Sequence, residues 1–510
     1  MSKISEKIKL HPIMTFLILI VATIVLSGIL SAFGLEATYK KVNTVTGSYD
    51  QVLVTVESLF SLSGLKYIFS STVSNFASFT PLSMLVIVLI GIGIMEKSGF
   101  LKTAFTSLTQ RAPKRTITFF LVLICILLSI GGDLGYVVMI PLSALLFYYG
   151  RRNPMIGIVT SFAALTCGTG LSLFITSIDS SLINTTIESA SLLDANYTIN
   201  IYGFVLIMII AIIALSFVIT AITEKISIYS IAKYEFKDEK KEFKIGRREA
   251  RGLLFALFAG VAYLLVFIYN IIPGLPFSGN LLDYSQKLYI DKLFSYNSFF
   301  SQGFVFIITM LFVILGLFYG IGARTIKNNY DFCDDLGHSL DDIGKTIVII
   351  FMASVFINVF KKTNIGIVAT SLLTNLVAAS GFKGVALIIL LFIVTALSTI
   401  LLPTTISKWP IMAGTIVPLL MNSGISPEMS QVIFRFAEGA TYGLTPIMAY
   451  FVIYLAFLEK YNQDVEPITL FRTVKYQIPY GLITGAVLLV ILIIWFIVGL
   501  PLGIATIPTI

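Results

Sequence analysis

The chain has 510 residues, 57% of them hydrophobic and 12% charged, with a mean hydropathy of +0.94. Apolar surface on that scale cannot be hidden inside a water-soluble body of this size, so the composition speaks against a soluble enzyme and makes the bilayer the solvent. The net charge of +8 sits in Lys and Arg between apolar runs, where anionic lipid and topology account for it without a nucleic-acid partner.

In chain order, runs long enough to cross a hydrocarbon core of about 30 Å fall near 12–34, 79–96, 154–179, 200–222, 251–272, 303–323, 345–361, 427–457 and 477–500. The first is too long for a signal-peptide core and reads as a retained span. Two further apolar pairs, 116–150 and 384–421, are split near the middle by Gly131-Gly-Asp133 and by Pro403 to Lys408. Each half is short for an independent span, so each pair reads as a re-entrant hairpin. The expected fold is an all-α polytopic membrane protein with nine spans and two hairpins. The segment 363–380 is expected in the outer interface or as a partial span.

The distribution of Lys and Arg orients this layout. Lys3, Lys7 and Lys9 place the N-terminus in the cytoplasm, and nine alternating crossings put Arg151-Arg152, Arg324 to Lys345 and Lys460 on the same side. The cytoplasmic loop 223–251 reads as a solvated helix or linker. Lys361-Lys362, on the outer side, is a local exception. The first hairpin then opens to the cytoplasm and the second to the outside.

The two halves repeat one order of features. Ser129 to Asp133, Pro141, Asn153-Pro154 and Thr166 to Gly170 are matched by Leu402 to Trp409, Pro418, Ser426-Pro427 and Gly439 to Gly443. Interrupted apolar segments at matching places in two halves are the signature of a secondary transporter with its site where the helices break. The whole chain, 1–510, reads as a single transporter: 116–222 and 384–457 form the cores of two inverted repeats, and the remaining helices serve as scaffold and dimer contacts.

Ionisable groups at membrane depth are functional candidates. Asp179 follows the first break, and Arg435 and Glu438 lie three apart on one helix face. A carboxylate beside unwound backbone is a natural Na+ ligand or proton carrier, so Asp179 and Glu438 are the candidate cation-coupling and metal residues, one per repeat. Trp409 offers a flat surface for a substrate; Lys408 could attract an anion or pair with a carboxylate. Asp133 reads as a cap of the first hairpin tip. Cys125, Cys167 and Cys333 lack metal-ligand spacing, and His11 and His338 fall at cytoplasmic ends, so no catalytic set and no bound cofactor is expected. A channel would need a continuous polar lining, whereas polar residues here cluster at midplane breaks.

Met95-Glu-Lys-Ser-Gly99, Gly132 to Leu142, Ser177-Ile-Asp179, Ser407-Lys-Trp409, Ile416-Val-Pro418, Ser426-Pro-Glu428 and Thr445-Pro446 together resemble the AbgT family, the p-aminobenzoyl-glutamate transporters of the ion transporter superfamily. The resemblance spans essentially the whole chain. It implies a homodimer in the cell membrane, nine spans and two hairpins per subunit, and a core that moves like an elevator. It assigns the family's intramembrane Asp to Asp179, its hairpin Trp to Trp409, its helix-break Pro to Pro427 and its Arg to Arg435. Ser172 and Thr399 stand where the family has Asn, and Glu438 where it has Asp.

The sequence is thus read as a cation-coupled carrier, with Na+ or H+ as coupling ion, for a small aromatic organic anion such as p-aminobenzoyl-glutamate or a sulfonamide-like antimetabolite. Trp409, Arg435, Lys408 and Pro427 are its substrate residues; Asp179, Glu438, Ser172 and Thr399 are its cation-coupling residues. The alternative is a dicarboxylate or citrate carrier of the same superfamily, recognised through hairpin-tip amides and hydroxyls. Direction follows from gradients and stoichiometry, which residues do not encode.

Overall fold

The structure is a computed structural model that describes residues 10–510 apart from 44–47, 130–131, 174–175, 237–244, 296 and 342. Lys3, Lys7, Lys9, Gly131 and the middle of the 223–251 loop therefore lie outside the described residues.

The element order is α1 (Pro12–Ala32), β1 (Glu36–Asn43), β2 (Ser48–Thr55), α2 (Leu62–Ala77), α3 (Thr80–Lys97), α4 (Phe100–Arg111), α5 (Lys114–Leu128), α6 (Asp133–Tyr149), α7 (Pro154–Cys167), α8 (Ser177–Ala190) and α9 (Val205–Ile222). There follow α10 (Ile228–Ser230), α11 (Arg247–Ile271), α12 (Tyr289–Phe294), α13 (Phe299–Ala323), α14 (Asn329–Gly337), α15 (Gly344–Lys362) and α16 (Ile365–Ala379). The last third holds α17 (Gly384–Leu401), α18 (Thr405–Met421), α19 (Pro427–Thr441), α20 (Phe451–Lys460) and α21 (Leu470–Val498).

Eight helical stretches among the described residues are long and apolar enough to cross a membrane. One of them, α17, is a hairpin arm, which leaves seven; the two interrupted helices α7/α8 and α19/α20 bring the crossings to the expected nine. Hairpin 1 closes at its base, where Arg152 Nη1, after α6, donates to Lys114 O at 3.3 Å and to Thr118 Oγ1 at 2.7 Å, near the start of α5. Hairpin 2 is α17 and α18, with Leu402 to Thr404 as its non-helical tip.

One element departs from an all-α reading. The segment after α1 forms a two-stranded antiparallel sheet, in register from Glu36 opposite Thr55 to Asn43 opposite Ser48. Its polar and apolar residues alternate from Glu36 to Lys40, a period-2 signal set against the helical spans around it. The sheet packs on α16 and hairpin 2: Asn375 Nδ2 on α16 donates to Thr38 O at 3.0 Å, and Gly414 on α18 abuts the Lys40 backbone. The 363–380 segment is the 15-residue α16, too short to cross alone and packed along both hairpin arms, as a partial span.

The helix breaks have local causes. Asn153 caps α7, its side chain accepting from Met155 N, and Pro154 supplies a first-turn φ without needing an N–H donor bond. α7 stops before Gly168, and α8 starts at a capping box in which Thr176 and Asp179 exchange side-chain and backbone bonds. Ser426 and Pro427 start α19 in the same manner. α19 gives way to a tight turn at Tyr442–Leu444, and Pro446 keeps the helix from resuming until Phe451.

Contacts at the two ends of the bundle fix the direction of each broken helix. At one end the C-terminal segment joins both halves: Ser426 N donates to Pro508 O at 3.0 Å and Ile504 N to Tyr202 O at 3.2 Å. At the other, Asn153 Nδ2 donates to Ala232 O at 2.6 Å, and the Gln463 amide exchanges bonds with the Glu235 backbone. α7/α8 therefore runs from the end holding Asn153 to the end holding Tyr202, and α19/α20 runs the opposite way.

Candidate transport site

The two interrupted helices cross at their breaks, and small residues allow it. A Cβ on Gly170 would collide with the carbonyl of Arg435, and one on Gly439 would stand 2.7 Å from Cys167 O. Backbone close enough to touch leaves the freed carbonyls of one break beside the charged side chains of the other. Arg435 Nη2 donates to Thr169 O at 2.7 Å, tying the second helix to the unwound part of the first.

From Arg435 an ion network runs through both repeats. Its Nη2 lies 3.8 Å from Asp179 Oδ1, and its Nη1 lies 3.4 Å from Glu438 Oε2. Glu438 Oε1 takes Lys408 Nζ at 3.0 Å and the Thr405 hydroxyl at 2.8 Å. Lys408 Nζ also donates to Thr399 Oγ1 at 2.6 Å. Two carboxylates face two cations, so the network is neutral, as buried charge requires. Lys408 and Glu438 are fully buried, whereas Asp179 keeps 14% of its side chain exposed.

Asp179 accepts three bonds on Oδ2: from Ser172 Oγ at 2.9 Å, Thr176 N at 3.0 Å and Thr176 Oγ1 at 2.8 Å. The helix-cap role and the candidate site role fall on one carboxylate.

Two hollows meet here. One, of about 530 Å³, is lined by residues beside the two hairpin tips and at the breaks, with Ser129, Asp133, Tyr136, Thr405 and Tyr442 among its walls. The other, of about 440 Å³, lies toward the start of α9, with Phe204, Val205 and Met208. Ser172, Asp179 and Arg435 line both, so the Asp179–Arg435 pair stands between them.

The remaining expected residues sit elsewhere. Trp409 lines neither hollow: it is fully buried, its Nε1 donates to Thr186 Oγ1 at 3.0 Å, and its ring lies 4.5 Å from that of Phe434. Thr186 in turn donates to Gln431 Oε1 at 2.9 Å, so the indole fastens hairpin 2 to α8 and α19 in this conformation. Pro427 begins α19 two turns before Arg435 and lines neither hollow. Thr399 reaches the network through Lys408. Among the described residues, no cluster of three or more His, Cys, Asp or Glu could hold a metal.

Sequence reasoning missed Thr405, Thr176, Tyr136 and Tyr442. Thr405 precedes Lys408 by three residues, a same-face spacing that would have flagged it; the tyrosines carried no signal beyond apolar context.

The chain matches the "AbgT putative transporter family" over residues 2–510. It is 27% identical over 493 residues, 97% of this chain and 93% of its counterpart, to the p-aminobenzoyl-glutamate transport protein of Escherichia coli (strain K12). Among solved structures it is similar to the Alcanivorax borkumensis YdaH transporter, with 25% identity, TM-score 0.48, and 97% and 100% of the two chains covered. It is similar also to Neisseria gonorrhoeae MtrF, described within a class of antimetabolite efflux pumps, with 28% identity, TM-score 0.49, and 98% of each chain covered.

Proposed function

The chain belongs to the AbgT transporter family, and on that premise we propose that it is a secondary carrier for aromatic organic anions of the p-aminobenzoyl-glutamate kind, coupled to Na+ or H+. The E. coli relative named for that substrate supplies the chemical class. The observation that carries the reading is the placement of Arg435. It lines the hollow between the two hairpins, where a guanidinium suits a carboxylate and Tyr136 and Tyr442 suit a ring.

Coupling falls on Asp179, the most exposed member of the ion network and its carboxylate that lines both hollows. A cation or proton arriving there competes with Arg435 for the carboxylate and loosens the guanidinium toward an incoming anion. Alternation then consists of one repeat core moving against the scaffold, which the opposed direction of the two broken helices supports. A homodimer fits the outer face of α11, where Leu254, Phe258 and Leu265 point away from the subunit. The Lys residues before the first span support a cytoplasmic N-terminus.

The test is transport by the purified protein in vesicles with Na+ and H+ gradients imposed separately, p-aminobenzoyl-glutamate as the probe and citrate and succinate as competitors. Gradient-driven, saturable movement of the aromatic compound is expected. Movement of the dicarboxylates in its place would overturn the substrate assignment.

A further inference from the structure

In the hollow of about 530 Å³ the charged groups are unevenly committed. Arg435 is engaged at both terminal nitrogens, and Asp179 is satisfied at Oδ2 and faces Arg435 at Oδ1. Asp133, the first residue of α6, lines the same hollow and has no ion pair among the described residues. Three tyrosines, Tyr136, Tyr442 and Tyr450, surround its carboxylate. The rings of Tyr136 and Tyr450 are stacked, with centroids 5.2 Å apart at 15°. Tyr136, only 4% exposed, lines the hollow, and its hydroxyl makes no hydrogen bond of good geometry among the described residues, although the Thr169 side chain stands beside it.

A buried hydroxyl without a partner and a carboxylate without a cation each cost free energy unless a ligand completes them. What would complete both is a group that offers N–H donors while lying flat against aromatic walls. A bare cation asks instead for a cage of several oxygens, which the phenol rings around Asp133 do not build.

Resting on the reading that the carried molecule is an aromatic anion held through its carboxylate by Arg435, we propose that Asp133 and Tyr136 recognise an amino group on its ring. The Asp133 carboxylate accepts one N–H, and the Tyr136 oxygen takes the other or donates to the nitrogen. The hollow is then bipolar: a guanidinium for the acid end, an acceptor pair for the amine end, and tyrosine rings between. It would discriminate an aminobenzoyl compound from its unsubstituted benzoyl counterpart, because a polar site built for a missing group is left unpaired.

The experiment compares p-aminobenzoyl-glutamate with benzoyl-glutamate, which lacks the ring amine, in vesicles carrying the wild type, Asp133→Asn and Tyr136→Phe. In Asp133→Asn the half-saturating concentration of the amino compound should rise by about tenfold or more, the effect of one lost charge-assisted bond. That of benzoyl-glutamate should stay unchanged. Tyr136→Phe removes a hydroxyl that makes no hydrogen bond of good geometry among the described residues, so it should fold normally and show the same selective loss in smaller degree; it carries the test if Asp133→Asn does not fold. Equal loss for both compounds, a change confined to cation dependence, or a wild type that carries both without preference would overturn this inference alone. A wild type that carries neither compound would bring down the functional reading and this inference with it.

Discussion

Lys408 Nζ lies 3.0 Å from Glu438 Oε1 with both side chains fully buried, so the second repeat carries its own tethered cation at the place where the first leaves Asp179 partly open. The two repeats share their helix breaks but not the state of their carboxylates. An ammonium fixed by Glu438 and Thr399 occupies the position an exchangeable cation would need.

Removing one partner of such a pair strands a charge. Glu438→Gln should lower stability by about 3–5 kcal/mol, because Lys408 and Arg435 would then face each other with one carboxylate fewer. The double variant Lys408→Met with Glu438→Gln removes a charge of each sign and should recover most of that loss. Thermal unfolding of the detergent-solubilised protein measures both; a double variant no more stable than the single would show that the pair is not the unit of stabilisation.

Asp179→Asn should behave differently. Its amide oxygen can still accept the Thr176 and Ser172 bonds that cap α8, and its partial exposure lets water attend Arg435. The expected outcome is an unfolding temperature close to wild type with gradient-driven transport abolished. Transport by Asp179→Asn that still follows an imposed Na+ or H+ gradient would remove Asp179 from the coupling step.

Much of this was legible in the chain. Apolar runs with Gly, Pro and Asn-Pro or Ser-Pro punctuation gave both hairpins and both broken helices, because a backbone that leaves the helix inside lipid must do so at residues that permit it. Asp179, Arg435 and Glu438 stood out as candidates because ionisable groups at membrane depth are costly, and the structure joins them in one network. What was not legible was partner choice. Whether Lys408 faced a substrate or Glu438, and whether Trp409 faced a cavity or Thr186, depends on how hairpin 2 is rotated against α8 and α19, and apolar residues all round the hairpin carry no periodicity to set that rotation. The sheet over hairpin 2 was not legible, because strict polar–apolar alternation runs only from Glu36 to Lys40 and breaks in β2.

Trp409 in this conformation is an anchor. Trp409→Phe keeps an aromatic ring against Phe434 but withdraws the donor to Thr186. A loss of about 1–3 kcal/mol in stability is expected, with the half-saturating concentration of p-aminobenzoyl-glutamate within about twofold of wild type. A rise of about tenfold with unchanged stability would instead place the indole against the substrate during the cycle.

Gly170 supplies a test of the crossing itself. A methyl group there would meet the Arg435 carbonyl, which belongs to helix backbone and cannot step aside as a flexible side chain would. Gly170→Ala should therefore push the two breaks apart, stretch the Arg435 bond to Thr169 O and shift the guanidinium relative to Asp179. Transport should fall by about tenfold or more, as a displacement of about 1 Å at a positioned group can produce, while the protein still reaches the membrane. Gly439→Ala, whose Cβ would stand 2.7 Å from Cys167 O across the same crossing, should reproduce the loss in milder form. Full activity in both would mean that the separation of the two breaks does not set the geometry at Arg435.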